Sequence, residues 1–460
     1  MRRPPAGALP RRVAAALAGC ALLAAAPAPS RPADHVVLIS IDGLLPEYYV
    51  RPADFGLDLP NLTALRDAGS WAEAVVGQYP SVTYPSHTSM VTGMRPARHG
   101  IISNTRFDPE GGSAQWYREA EALKVKALWH VAAAAGLKTA ALSWPVTVGA
   151  RIDALIPESQ AVDGSSWLDS MRRMSTPGLV DEVVTLLGGF GPDDNRDIAK
   201  RDRFFAAATA HVLKTRKPNL LLLHLVQTDS AQHRFGRHSP EAKAAFTAVD
   251  RHLGEIVRAA EEAGIRPRTT FVITGDHGFY RVHSALQPNV VLRRAGLLRT
   301  GPDNKVQSWQ VAAHGGAVRV KDPADDALAA RAEALFRELA DGRYRGLFRV
   351  VDRKELDVLG AYPEAAFFVE PVDGYMVSGG FDGDAFVAPT ATRGSHGYLP
   401  DQPALYTGLI LSGAGVRPGL VVPRARQIDV GPTVARLLGL DLGDTEGAPM
   451  FGLVADTATP

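Results

Sequence analysis

A single cysteine, Cys20, occurs in 460 residues, and it lies near the amino terminus. The remainder of the chain has none, which excludes disulfides and thiolate chemistry from whatever folds there. Long apolar runs are also missing. Val13–Ala26, at 14 residues, is too short for a comfortable helical span of a bilayer, which takes about 20, and no other run is long enough. There is no excess of charge of either sign, with 50 Lys and Arg against 49 Asp and Glu. Five of the arginines fall in residues 1–33, which hold no acid, so the rest carries 45 basic and 49 acidic side chains, a net of −4. That mildly acidic balance gives no support for a nucleic-acid-binding module, whose footprint is a basic patch. Internal repeats and long low-complexity segments are absent as well.

The amino terminus has the layout of an export signal. Arg2, Arg3, Arg11 and Arg12 precede the apolar stretch, and Pro27-Ala-Pro-Ser-Arg-Pro follows it. Residues 1–33 are therefore expected to be a signal or tether, and the mature protein periplasmic or secreted. The segment Leu17-Ala-Gly-Cys20 resembles the lipobox of bacterial lipoproteins, in which the cysteine becomes the lipidated first residue. The other reading is a small residue inside an ordinary signal. Ala26 and Ala28, the alternative cleavage sites, are each followed by proline, which favours lipidation. The short apolar run before Cys20 argues against it. Membrane contact would come only through such a lipid. The sequence carries no signal for oligomeric state.

Residues 34–460 read as one large α/β domain. Continuous apolar strands are expected at His35–Ile41, Lys138–Leu142, Asn219–Leu225, Thr270–Thr274 and Tyr406–Leu411. Helices are expected at Pro60–Ala68, Ala122–Ala135, Asp197–Thr215, Ser239–Ala263 and Val430–Leu438, with a short one at Pro85–Val91. Such alternation implies a largely parallel central sheet with helices on both faces. Residues from about 284 to 385 break the rhythm and read as a small cap-like insertion.

Candidate ligands lie where these strands end. In open α/β sheets that is where ligands bind. Asp42-Gly43 follows the first strand, Asp229 and His233 follow the third at i, i+4, and Asp276-His277-Gly278 follows the fourth. An i, i+4 pair shares one helix face and can share one metal. Taken singly, each has a plainer reading: an N-cap and a surface histidine, a tight turn, a loop histidine for His396. Thr83 sits just before a short helix whose N-terminus would favour an anion. Together, four carboxylate or hydroxyl groups and three imidazoles suit a pair of divalent cations.

The run Tyr79-Pro-Ser-Val-Thr-Tyr-Pro-Ser-His87, continued by Met90-Val-Thr-Gly93 and Arg98-His-Gly-Ile101, resembles the nucleophile motif of the nucleotide pyrophosphatase/phosphodiesterase family of the alkaline phosphatase superfamily. The resemblance extends from about His35 to the last helix and takes in Trp144-Pro145. It implies a two-zinc hydrolase in which Thr83 is the nucleophile and forms a covalent phosphothreonine. Asp42, Thr83, Asp276 and His277 would hold one Zn2+, and Asp229, His233 and His396 the other. Asn104 would donate a hydrogen bond to a phosphoryl oxygen. His87, His99 and His314 are expected to support loops.

Substrate class is less constrained. Superfamily members that cleave monoesters carry extra positive charge, an Arg or a Lys-x-Arg pair; here the matching stretch, Val146–Asp153, offers Arg151 alone, which favours diesters. Tyr84 is expected to wall a base or other flat leaving group. His224 stands where nucleotide-preferring members carry an aromatic residue, which leaves lipid head-group and other diesters open. Two rival readings remain: an alkaline phosphomonoesterase or phosphonate hydrolase of the same superfamily, and an inactive metal-binding protein.

Overall fold

The computed structural model describes Met1 and residues 31–110, 115–301, 305–380 and 383–455. Cys20 and nearly all of the expected signal lie outside the described residues. A nine-stranded sheet crosses the molecule: β1 (His35–Ile41), β2 (Ser70–Val76), β3 (Thr139–Leu142), β4 (Ala154–Ile156), β5 (Leu220–Leu225), β6 (Thr269–Thr274), β7 (Thr407–Gly413), β8 (Val421–Val422) and β9 (Ala425–Arg426). The order is β8-β2-β7-β6-β1-β5-β3-β4, with β9 also on β2. Every pairing is parallel except those of β7, which runs antiparallel to β2 and β6.

The unbroken apolar runs follow from burial on both faces. Along β1, Val37, Ile39 and Ile41 join one core with Phe204, Phe205 and Leu253, whereas Val36 and Leu38 join another with Met90, Trp129 and Val434. Each such side chain contributes about 1.5–3 kcal/mol on burial. Two long helices cover the first face: α2 (Ile198–Thr215) is capped by Asp197, and α4 (Pro240–Glu262) by Ser239. On the opposite face lie α1 (Thr83–Thr92), α5 (Val430–Leu437) and the helix Leu128–Ala134. Between α2 and α4 runs α3 (Gln227–Phe235), directly after β5.

Two helix boundaries differ from the pattern reading. The helix expected from Ala122 begins only at Leu128. The Lys124 N–H is taken by the His99 carbonyl at 3.1 Å and Ala127 is extended, so the first turn cannot form earlier. α1 starts at Thr83 rather than Pro85, with extended Val82 before it, which puts Thr83 at the first helical position.

Strands Val311–His314, Ala317–Val320, Phe348–Val351 and Phe367–Pro371 form a separate antiparallel sheet. It packs on the helix Asp326–Asp341, with Phe336, Phe348 and Phe367 in a core of its own. Glu370 fastens this sheet to the rest. It is buried, and accepts hydrogen bonds from the Tyr79 hydroxyl at 3.0 Å and the Leu399 N–H at 2.7 Å. Tyr79 leads into the Thr83 segment, and Leu399 follows the His396 segment.

Burial pushes the Glu370 carboxyl up to about 8, from 4.5. Its native pKa lies above its unfolded one, so its stabilising contribution is complete below pH 4.5 and is lost as pH rises through 8. Glu370→Gln keeps an acceptor for Leu399 and a partner for Tyr79 without the charge. The variant is expected to be more stable than the wild type at pH 9 and to lack a decline in stability of up to about 1.4 kcal/mol per pH unit between 4.5 and 8. Denaturant titrations across that range check this. Parallel curves for both proteins would refute it.

Candidate active site

The strand ends bring the scattered carboxylates and imidazoles together. β1 ends at Ile41 and Asp42 follows; Gly43 then turns the chain with φ +69°. A Cβ at Gly43 would meet the Phe279 ring at 2.6 Å, so the turn requires glycine sterically as well as by backbone angle. The Gly43 N–H donates to Asp276 Oδ1 at 2.9 Å and the His277 N–H to the same oxygen at 3.0 Å. Two backbone donors thus fix the Asp276 carboxylate and leave Oδ2 facing inward. His277 Nε2 lies 3.2 Å from that oxygen and 3.4 Å from Asp42 Oδ1.

The second group forms beside the first. His233 Nε2 lies 3.2 Å and His396 Nε2 3.5 Å from Asp229 Oδ1, and the two imidazole nitrogens are 3.1 Å apart. The His277 and His396 rings stack at 3.5 Å, which joins the two groups. Asp229 belongs to both: with His233 and His396 it forms one metal-competent set, and with Asp42 and His277 another.

Each histidine is oriented from behind. His233 Nδ1 bonds the Gly394 carbonyl at 2.8 Å, His396 Nδ1 the Ser81 carbonyl at 3.0 Å, and His277 Nδ1 the Gly278 carbonyl at 3.2 Å. A carbonyl accepts only, so Nδ1 carries the proton and Nε2 offers a lone pair to the centre. Burial, then the neighbouring His233, drives His396 down to about 4, and burial drives His277 well below its ordinary range. Both are neutral, as ligands must be.

The site holds four buried atoms without a hydrogen-bond partner among the described residues: Asp42 Oδ1, Asp229 Oδ1, Asp276 Oδ2 and His277 Nε2. Buried polar atoms left unpaired are costly and rare. Four of them converging with neutral imidazoles fit divalent cations well, and the mixed oxygen and nitrogen donors suit zinc.

Thr83 stands at the N-terminus of α1, and its hydroxyl makes no hydrogen bond among the described residues. Its carbonyl bonds His87 Nδ1 at 2.8 Å, and that ring nitrogen lies 3.8 Å from Asp276 Oδ2. Asn104 is placed beside Thr83: the Tyr84 N–H donates to Asn104 Oδ1 at 2.9 Å. This fixes the amide orientation, so Nδ2 carries both donors and has no partner among the described residues.

Two expectations change. Tyr84 is 2 % exposed and packs on Trp116 at 5.1 Å, with Ile101 and Val146 around it. Its ring is part of a small core, not an open wall, because the α1 backbone turns it away from solvent. His224 is fully buried and does not reach a substrate surface. Its Nε2 bonds Asp42 Oδ2 and its Nδ1 bonds Glu158 Oε2, both at 3.0 Å, while Arg201 lies 3.5 Å from Glu158. Burial opposes charge on His224, but Glu158 and Asp42 outweigh it and raise its pKa. The arrangement holds Asp42 so that Oδ1 faces His277. Glu158 was not singled out from the sequence; it follows β4 at the same edge as the other ligands, and that rule would have found it. His314, expected to support a loop, bonds Thr105 Oγ1 at 2.9 Å. It shares a 180 Å³ groove with Val82, Ser103 and His396.

The profile of the family described as Type I phosphodiesterase / nucleotide pyrophosphatase matches residues 36–399. The chain belongs to that family. Relatives include human ectonucleotide pyrophosphatase/phosphodiesterase family member 1, 25% identical over 253 residues, which are 53% of this chain and 23% of the human protein. The venom phosphodiesterase of Macrovipera lebetinus is 25% identical over 275 residues, 57% of this chain and 28% of its own. An uncharacterized pyrophosphatase/phosphodiesterase of Schizosaccharomyces pombe matches at 25% over 255 residues, 53% of this chain and 44% of its own. The chain thus spans about a quarter to under half of these curated relatives. Murine ectonucleotide pyrophosphatase/phosphodiesterase 5 shares the fold, with a TM-score of 0.64 at 18% identity over 90% of this chain and 97% of that one. An inactive variant of the same murine protein has been solved in complex with AMP.

Proposed function

We propose that this member of the phosphodiesterase family is a two-metal hydrolase of phosphodiester and pyrophosphate bonds that works through a covalent phosphothreonine at Thr83. The observation that carries this reading is the convergence of four unpaired buried atoms with three lone-pair-bearing imidazoles, beside a helix that starts on a threonine with a free hydroxyl.

Asp42, Asp276, His277 and Thr83 would hold one zinc ion, and Asp229, His233 and His396 the other. Bound there, the cations would act as Lewis acids that lower the pKa of the Thr83 hydroxyl and offset phosphoryl charge. Thr83 Oγ attacks phosphorus, and the leaving oxygen departs with the electron pair of the broken P–O bond. Asn104, held by the Tyr84 N–H, presents its amide donors to a non-bridging oxygen. The α1 N-terminus adds backbone N–H groups and a partial positive charge. Water then attacks the phosphothreonine from the opposite side and restores the hydroxyl; protons exchange with solvent. His224 and the Asp276 backbone bonds keep the carboxylates in place throughout. The antiparallel sheet of residues 311–371 acts as a cap, since it supplies His314 to the groove that runs past His396.

A diester is the favoured substrate class. Arg151 is exposed, and no lysine or arginine side chain among the described residues bonds to the seven-residue cluster. Among the described residues, no guanidinium or ammonium bonded to the cluster stands ready for the additional charge of a monoester. Nucleotides are the first substrates to try, given the murine relative solved with AMP. The p-nitrophenyl ester of thymidine 5′-phosphate should be hydrolysed with a kcat/KM at least about a hundredfold above that of p-nitrophenyl phosphate, equivalent to about 2.7 kcal/mol of transition-state preference. The reverse order would favour the phosphomonoesterase reading. A metal-replete protein inert towards every phosphoester would favour the binding protein.

Export is part of the proposal. The arginine-led apolar amino terminus supports it, as do relatives named as ectoenzymes and a venom enzyme. No helix among the described residues is long and apolar enough to cross a membrane. Lipidation at Cys20 is the form in which the protein would stay membrane-attached.

A further inference from the structure

A cavity of 650 Å³ opens just past the C-terminal end of α3, the helix that carries Asp229 and His233. Arg237, Arg281, Arg393, His238, His283 and Asp373 line it. Arg237 is committed elsewhere: it pairs with Glu47 at 2.5 Å and donates to the Phe279 and Ala404 carbonyls at 3.2 Å. Arg281 and Arg393 are different. Both are exposed, and neither guanidinium has a hydrogen bond or ion pair among the described residues. With Arg237 neutralised by Glu47, two uncommitted guanidiniums face one carboxylate, Asp373.

The backbone ties both arginines to the candidate metal ligands. The Arg393 N–H donates to the His233 carbonyl at 2.8 Å. Arg281 pairs across the strands with Gly394, whose carbonyl holds His233 Nδ1. The cavity is therefore separated from the metal centre only by the last turn of α3 and the Arg393–Gly394 segment. Guanidiniums present planar forks of donors that match phosphate oxygens, and two of them on one concave wall suit a group with more than one negative charge.

We infer that this cavity is an anion-binding subsite that takes a second, phosphate-bearing part of an extended substrate. The inference rests on the phosphodiesterase reading for its place in catalysis but not for the binding itself. Asp373 shares the cavity and weakens its field, so its removal strengthens anion binding while loss of either arginine weakens it.

Tripolyphosphate is the probe for the first arm, used with protein stripped of metal by a chelator that is then dialysed away. Binding at the catalytic centre would not depend on Arg281 and Arg393, so their replacement separates the two sites. Calorimetric titration should show saturable, salt-weakened binding of one equivalent. The Arg281→Gln/Arg393→Gln double variant should bind at least about tenfold more weakly, and Asp373→Asn more tightly than wild type. Arg251→Gln/Arg258→Gln, an equal loss of charge on the outside of α4, should leave affinity unchanged. No binding by wild type, equal loss in both double variants, or no gain with Asp373→Asn overturns the subsite. In the second arm, with metal restored, the Arg281/Arg393 variant should show a raised KM for a diester whose leaving group carries a phosphate, and an unchanged KM for the thymidine p-nitrophenyl ester. An equal effect on both esters overturns its role in substrate choice. Failure of all hydrolysis would refute the phosphodiesterase reading and leave the first arm standing.

Discussion

Replacing Thr83 by alanine is expected to lower turnover of a diester substrate by roughly 10⁴-fold or more while leaving the fold intact. The size follows from losing the nucleophile: when a covalent mechanism is disabled, only positioning and electrostatic stabilisation remain. Retention of the fold follows from the structure. The Thr83 hydroxyl has no hydrogen bond among the described residues. The first turn needs no acceptor from the Thr83 side chain, because the Tyr84 N–H is taken by Asn104 Oδ1 and Pro85 has no N–H. The change in stability should stay within about 1 kcal/mol. Thr83→Ser, which keeps the hydroxyl, should retain measurable turnover. Steady-state rates and thermal melts of the three proteins check this. Full activity in the alanine variant would leave Thr83 without a chemical role.

Stripping the metals should have an effect of comparable size, and a pH signature. Asp42, Asp229 and Asp276 share one buried space, with no lysine or arginine bonded to them among the described residues. In the metal-free protein, burial and then the neighbouring carboxylates raise Asp42 well above its ordinary range, and burial brings Asp276 up to about 6. Native pKa values above the unfolded ones mean that these two groups stabilise the stripped protein fully below about pH 4. The Asp276 contribution disappears as the pH rises through 6. Stripped protein should therefore melt lower at pH 8 than at pH 5.5. Restoring Zn2+ at a thousandfold excess over its dissociation constant should add about 4 kcal/mol per site and reverse the loss. Activity without metal should fall at least about a thousandfold, since Lewis-acid stabilisation is worth several kcal/mol. Melting curves with and without zinc at both pH values test the account. A zinc-independent melting temperature would contradict the two-metal reading.

How much of this was legible from residues alone depends on distance along the chain. Asp229 and His233 lie one helical turn apart, and Asp276 and His277 are adjacent after a strand, so local geometry announces them. Burial along β1 from Val36 to Ile41 likewise follows from its continuous apolar run, because both faces of a parallel sheet are covered. What the pattern could not show is held through space. Glu158 braces Asp42 by way of His224, across strands far apart in sequence. Glu370 joins the antiparallel sheet to the segments around Tyr79 and Leu399, and a lone glutamate in an apolar strand carries no sign of its partners. Tyr84 misled because an aromatic residue beside a nucleophile suggests a wall, whereas the turn into α1 sends its ring inward against Trp116. The late start of the helix at Leu128 has the same origin: a tertiary bond from Lys124 to His99 overrides a run of good helix formers.

The covalent intermediate is the central claim, and the stereochemical course at phosphorus tests it most directly. Hydrolysis of a diester made chiral at phosphorus with sulfur and oxygen isotopes gives a product whose configuration counts the displacements. Attack by Thr83 followed by attack of water is two inversions, so the account predicts net retention. Net inversion would mean that water attacks the substrate directly and that no phosphothreonine forms.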